Sequence, residues 1–223
     1  MASVQFERVS HRRHGDFDAL VGFDLDVADE GAVALVGGVG SGASTALRLL
    51  AGFEEPEHGR IRIGGRDLAG LAPRDRKVAL VLPHHGLSPE RTVADHLVYP
   101  LLVSGVSSAD RQRRVRDVAE QLGFDALLDC LPRQLTPAER QRVAFGRAIV
   151  RRPEVLLVEE PWSGLVGSDR AEVRDECSRC RTDLATTIIA VVRDPADADS
   201  IAERVICLDG GVATFERSEP VLA

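Results

Sequence analysis

The sequence predicts an α/β fold in which a helical lobe is inserted into a core sheet, and three observations predict it. Short β-branched runs alternate with stretches of helical period. The middle of the chain, from about residue 92 to about 150, reads as helix throughout and follows several strands. A glycine-rich turn joins an apolar strand to a helix.

The strand runs are, in order, "VQFERVS", "FDLDVA", "AVALVG", "IRIGG", "KVALVL", "VLLVEE", "TTIIAVV" and "RVICLDG". Each is short and carries β-branched residues. After "AVALV", the stretch "STALRLLAG" places Ala46, Leu49 and Leu50 on one helix face, to pack beneath the sheet. In the middle, Val115, Val118, Ala119 and Leu122 recur at helical spacing, and Gly123 is a stop signal. "RAEVRDECSRCRTDL" also reads as helix, so its Cys177-x-x-Cys180 lies on a helix; with no second pair, it makes no zinc site. There is no internal repeat, low-complexity segment or linker long enough to separate independent domains.

The 223 residues suffice for one large α/β domain or two small ones. With 28 basic against 35 acidic residues, the net charge of −7 opposes binding to nucleic acid or anionic lipid, and no nucleic-acid partner is expected. Lys77 is the only lysine. No apolar run approaches the ~18 residues of a membrane span and the first residues do not form a leader, so a cytoplasmic protein is expected. Cys130, Cys177, Cys180 and Cys207 are too few and scattered for a disulfide framework.

The turn "GGVGSGAST" carries most of the chemistry. Gly37, Gly42 and Ser44 fall on the pattern G-x-x-x-x-G-K-[ST], a P-loop, but Ala43 stands at the lysine. Such a turn aims backbone N–H groups and a helix N-terminus at phosphate independently of side chains. Gly37, Gly38, Val39, Gly40, Ser41, Gly42, Ala43, Ser44 and Thr45 are therefore the candidate phosphate-binding residues.

A second stretch, "LPRQLTPAERQRVAFGRAIVRRPEVLLVEEPWSGL", resembles the signature-helix to Walker B region of ABC-transporter ATPases, the nucleotide-binding subunits that drive membrane transport. The same order and spacing continue outward through His14-Gly15 at the adenine-stacking loop, the P-loop, "DRKVALVL" before the Q-loop and "TTIIAVVRD" at the switch strand. "PRDRKVALVL" and "FGRAIVRRPEV" look most like the carbohydrate-importer branch, whose members usually carry a further C-terminal barrel domain; none is expected in this chain. The resemblance implies a P-loop ABC ATPase core sheet with an antiparallel β subdomain and an inserted helical lobe at about residues 88–140, all one domain over residues 1–223.

Set against the family, most functional positions are altered. The phosphate lysine is Ala43, the Q-loop glutamine is Pro83, and the D-loop aspartate is Val166. The signature loop is Leu135-Thr136-Pro137-Ala138-Glu139, and the switch histidine is Arg193. What persists is Ser44 as a magnesium ligand, Glu159 as another, a longer carboxylate in place of the Walker B aspartate, and Glu160 at the general base, with His14 to stack on adenine in place of the usual aromatic residue. Arg193 is expected to meet Glu160 in an ion pair, or else to serve as a replacement phosphate cation.

Nearby cations do not replace the lysine. Lys77 begins the strand whose far end carries Pro83, about five residues or ~17 Å from the phosphate edge, and Arg48 lies one turn into the following helix. A charge-assisted contact is worth ~1.5–3 kcal/mol, so triphosphate binding should weaken ~10–100-fold. Single groups that stabilise transition-state charge are often worth ~10²–10³ in rate, which makes hydrolysis very slow or absent. Thr136-Pro137-Ala138-Glu139 has the pattern of a self-capping helix start: cap threonine, proline at the first helical position, glutamate three residues after the cap.

The resemblance therefore implies a transporter subunit with ATP bound weakly or not at all, and magnesium only with nucleotide. It would be hydrolysis-impaired, paired with itself or another ABC ATPase subunit, and peripheral at the inner face of the cell membrane on permease subunits. Two alternatives stay open: a slow but active ATPase using Glu160 as base, and an ABC-fold protein outside transport.

Overall fold

The computed structural model describes residues 2–13, 17–83, 86–183 and 185–218, without the side chains at 176 and 180–183. The chain divides into two compact units: Met1–Leu80 with Pro153–Glu160 and Cys177–Ala223, and Val81–Arg152 with Pro161–Glu176.

The first unit opens with β1 (Val4–Arg13) and β2 (Phe17–Val27), an antiparallel pair whose register shifts at bulges near Val9 and His11. β4 (His58–Ile63) and the two-residue β5 (Arg66–Asp67) extend this sheet in the order β2-β1-β4-β5. The second sheet is built on β3 (Ala32–Val36), β6 (Val78–Val81), β7 (Val155–Glu159), β8 (Thr187–Val192), β9 (Arg204–Asp209) and β10 (Val212–Ser218). Its order is β10-β9-β3-β8-β7-β6, with β9, β3, β8 and β7 parallel and β10 antiparallel at the edge. Every residue of β3 and β8 is buried, the continuous apolar run of a strand covered on both faces.

Helix α1 (Ala43–Ala51) fills the core of this unit. Ala46, Leu47, Leu49 and Leu50 share one cluster with Phe6, Leu20 and Ile61 of the antiparallel sheet and with Leu35, Leu157 and Ile189 of the other. Its C-terminal end is fixed by Arg76, whose side chain is 1% exposed. Arg76 donates to the carbonyls of Leu49 (2.7 Å) and Leu71 (2.9 Å) and pairs with Glu55.

The second unit contains α2 (Val93–Val103), α3 (Ser108–Gln121), α4 (Pro137–Ile149) and the first turns of α5 (Gly167–Asp183). Thr92, Ser107 and Thr136 cap the first three, each accepting a backbone N–H from three residues on. Val115, Val118 and Ala119 on α3, and Leu122 after it, are buried as their spacing predicts. Gly123 ends the helix with φ 65°. A four-residue helix, α6 (Pro195–Ala198), follows β8 in the first unit. Two strands escape the sequence pattern: β5 is too short, and β10 is an exposed edge without apolar alternation.

Candidate functional site

The P-loop forms at the carboxyl end of β3, the edge at which open α/β sheets bind ligands. Gly42 has φ 96°, and a Cβ there would stand 2.2 Å from the carbonyl oxygen of Ala19. A Cβ at Gly37 would come within 2.3 Å of the Ser41 hydroxyl oxygen. Both pattern positions thus demand glycine for space, and Gly42 also for conformation. The loop is tied down by Gly37 N–H to the carbonyl of Val192 (3.1 Å), Ser41 N–H to Gly38 (3.2 Å), and Gly211 N–H to Ser41 (3.0 Å).

Val39, Gly40 and Gly42 use their N–H groups for no intramolecular bond among the described residues. The first-turn N–H groups of Ser44 and Thr45 have no carbonyl one turn back to bond, and no acidic residue lies in that turn. The cradle is therefore preserved and fits an anion through its backbone. Ala43, at the lysine position, is 1% exposed and belongs to the core cluster.

The expected positions of both nearby cations are observed. Lys77 pairs with Glu154 at 2.5 Å, one residue before β7, whereas Glu159 is that strand's last residue. Arg48 turns to Glu54 at 2.6 Å, beyond the C-terminus of α1.

Strand register brings three further residues to the same sheet edge. Val36 pairs with Val192, and Glu159 with Val191, so the ends of β3, β8 and β7 lie side by side. Glu160 follows with its N–H on the carbonyl of Val191 (2.9 Å) and φ 43°, a left-handed conformation that is costly for a non-glycine residue. Glu159, Glu160 and Ser44 are all half-buried. Ser44 and Glu159 are the oxygen donors that would hold magnesium beside a bound phosphate.

Arg193 emerges directly after β8, as expected, but it is exposed and has no ion pair with Glu160 among the described residues. The chain turns at once into α6, where Asp194 caps the helix by accepting the N–H of Ala196 (2.9 Å). The expected Arg193–Glu160 pair is not formed.

His14 lies outside the described residues. Phe17, which sequence reasoning passed over, stands beside the loop: its ring Cζ is 3.6 Å from where a Cβ on Gly40 would be, and the side chain is half exposed. An aromatic face next to a phosphate cradle suits a nucleobase. Its signal was an aromatic residue two positions after Gly15, in a chain with few aromatics.

In the second unit the altered signature folds as its sequence dictates. Thr136 Oγ1 accepts the N–H of Glu139 (3.2 Å), and Glu139 Oε2 accepts the N–H of Thr136 (2.7 Å), closing a capping box. Pro137 has no N–H to offer, Ala138 is 1% exposed, and Leu135 is buried with its carbonyl held by Arg140 (2.9 Å). This helix end satisfies itself. Val166 is 81% exposed directly before α5, and Pro83 is half-buried two residues after β6.

A family model described as ABC transporter matches residues 20–163. The chain is 41% identical over 211 residues to the sulfoquinovosyl glycerol transport ATP-binding protein SmoE of Agrobacterium fabrum, spanning 95% of this chain and 59% of that protein. It is 41% identical to the sn-glycerol-3-phosphate import ATP-binding protein UgpC of Paraburkholderia xenovorans, at 96% and 59% coverage. It is 38% identical to the diacetylchitobiose uptake system ATP-binding protein MsiK of Streptomyces coelicolor, at 95% and 56%. The chain thus spans somewhat over half the length of these relatives. Its fold is shared with the ATP-binding cassette MJ0796 in a dimeric post-hydrolysis state bound to ADP and Pi (TM-score 0.82, 22% identity, 96% of this chain and 98% of that one). It is likewise shared with cbiO1 from Clostridium perfringens, part of the ABC transporter complex cbiONQ (TM-score 0.86, 20% identity, 96% and 88%). With the P-loop cradle, the acidic end of β7 and the helix at the signature position all in this frame, the chain belongs to the ABC transporter family.

Proposed function

We propose that this chain is the nucleotide-binding-type subunit of a solute importer and that it is impaired in hydrolysis, acting as a binding or regulatory module with membrane permease subunits. The observation that carries the reading is Ala43: its methyl is buried in the core beneath a cradle whose backbone N–H groups are otherwise intact. The cradle supports weak ATP binding, with magnesium on Ser44 and Glu159. The missing lysine, Pro83 at the Q-loop position and the self-capped Thr136–Glu139 helix end support slow or absent turnover. The relatives' names support import of saccharide- or glycerol-based solutes.

Two such chains, or this chain and an intact subunit, would pair head to tail; in the first case each composite site would contain both the Ala43 loop and the capped helix, and in the second one site would contain the loop and the other the helix. The chain would then scaffold or suppress a partner's turnover at the inner face of the membrane. Exposed Tyr99, Leu102 and Val103 on α2 support a protein partner on the helical unit. No helix among the described residues is long and apolar enough to cross a membrane.

Isothermal titration with ATP and magnesium, followed by a turnover assay with the permease, tests the reading. Weak binding without turnover is expected. Turnover that is lost in Glu160→Gln establishes instead a slow, active transport ATPase.

A further inference from the structure

Within the helical unit, the main chain at residues 86–88 is held by side chains from two helices. Arg147 of α4 donates from Nη1 to the carbonyl of Gly86 at 2.5 Å. His96 of α2 lies with Nε2 3.1 Å from the carbonyl of Ser88. Gly86 has φ 58°, and a Cβ there would meet Arg147 Nη2 at 3.4 Å, so the glycine serves both the turn and the approach of the guanidinium.

His96 is 5% exposed, and its Nε2 faces a carbonyl oxygen, so the neutral ring donates that hydrogen bond. The charged groups that bear on it are Arg147 from α4, Arg91 from the turn before α2, and Asp95 on α2 itself. Asp95 is engaged by the Thr92 cap, accepting the Thr92 N–H (3.1 Å) and hydroxyl (2.9 Å). A proton on His96 would add a buried charge beside two cations and one occupied carboxylate.

We propose that His96 and Arg147 form an acid-released strap that holds residues 86–88 against α2 and α4 while His96 is neutral and lets them go when it is protonated. Burial pushes His96 below the ordinary 6.5, with Arg147 and Arg91 acting in the same direction and the Ser88 bond and Asp95 opposing them. Arg147 stays charged throughout this range, so His96 alone makes the closed state bind fewer protons than the open one. Closure is fully favoured above pH 6.5 and weakens as pH falls from there toward the lowered value. The strap concerns the helical unit alone and stands whether or not the chain binds nucleotide.

The test is hydrogen exchange of the full chain between pH 7.5 and 5.5, read as protection factors for amides 86–92 against those of β3. Opening should grow several-fold, up to about tenfold by pH 5.5, in residues 86–92 and not in β3. His96→Gln, which has an amide donor but no titration, should flatten the dependence. Arg91→Gln changes an exposed side chain that makes none of the strap's hydrogen bonds, and it should make the fall in protection smaller, because removing one facing cation brings the closed state's lowered value nearer to 6.5. Constant protection in the unmodified chain, an equal fall in His96→Gln, or an undiminished fall in Arg91→Gln would each overturn the strap.

Discussion

Ala43→Lys restores the family's cation, and its two effects can be worked from the structure. Ala43 is the first residue of α1, 1% exposed and packed in the cluster with Ala46, Leu47 and Leu50. A lysine stem at this site must leave the core toward the loop mouth. Ordering it costs up to ~2 kcal/mol, and a cation at a helix N-terminus adds ~0.3–1 kcal/mol of repulsion. The ligand-free variant should therefore lose about 1–3 kcal/mol of stability. Phosphate supplies the missing partner, and a charge-assisted contact of ~1.5–3 kcal/mol corresponds to ~10–100-fold tighter binding.

Calorimetry gives both numbers: the unfolding temperature without ligand and the dissociation constant for ATP with magnesium. Ala43→Met is the control, with a stem of similar bulk and no charge; it should lower stability without tightening binding. Equal affinities for Ala43→Lys and the native chain would refute the reasoning, because a formed cradle that receives phosphate must register a cation at its edge.

Arg76→Ala should destabilise the chain by about 3 kcal/mol in urea unfolding, since it leaves the carbonyls of Leu49 and Leu71 without their donor and loosens the end of α1. Thr136→Ala should cost about 1 kcal/mol through the lost cap, whereas Thr136→Ser should be nearly neutral; equal losses would show that the capping box does not hold α4. Gln141, on α4, is 1% exposed, and neither side-chain polar atom has a hydrogen-bond partner among the described residues. Gln141→Met should raise stability by about 1–2 kcal/mol, and a fall in unfolding temperature would show that the amide is satisfied after all.

What was legible in the sequence was local. The P-loop is nine consecutive residues, and the glycines needed at Gly37 and Gly42 are set by close approach within and beside that turn. The Thr136–Glu139 cap closes across three residues, so its chemistry is written in the spacing. The burial of α3 follows from a 3.6-residue period. Strand β10 was not legible because an exposed edge carries no apolar alternation, and the approach of Phe17 to Gly40 was not because it joins residues distant in the chain.

The sequence by itself determined which groups were present and which were replaced: the glycines and Ser44 of the loop, Glu159 and Glu160 at a strand end, and Ala43, Pro83, Val166 and Arg193 at altered positions. Only the tertiary structure decided which of them meet. The parallel register of β3, β8 and β7 sets Gly37 on Val192 and Glu159 beside Val191, joining segments far apart in the chain. The same register carried Arg193 to the expected edge, but the immediate turn into α6 left its side chain in solvent rather than on Glu160. Periodicity and turn chemistry act within a few residues, whereas strand pairing and side-chain contact are fixed by how the whole core packs.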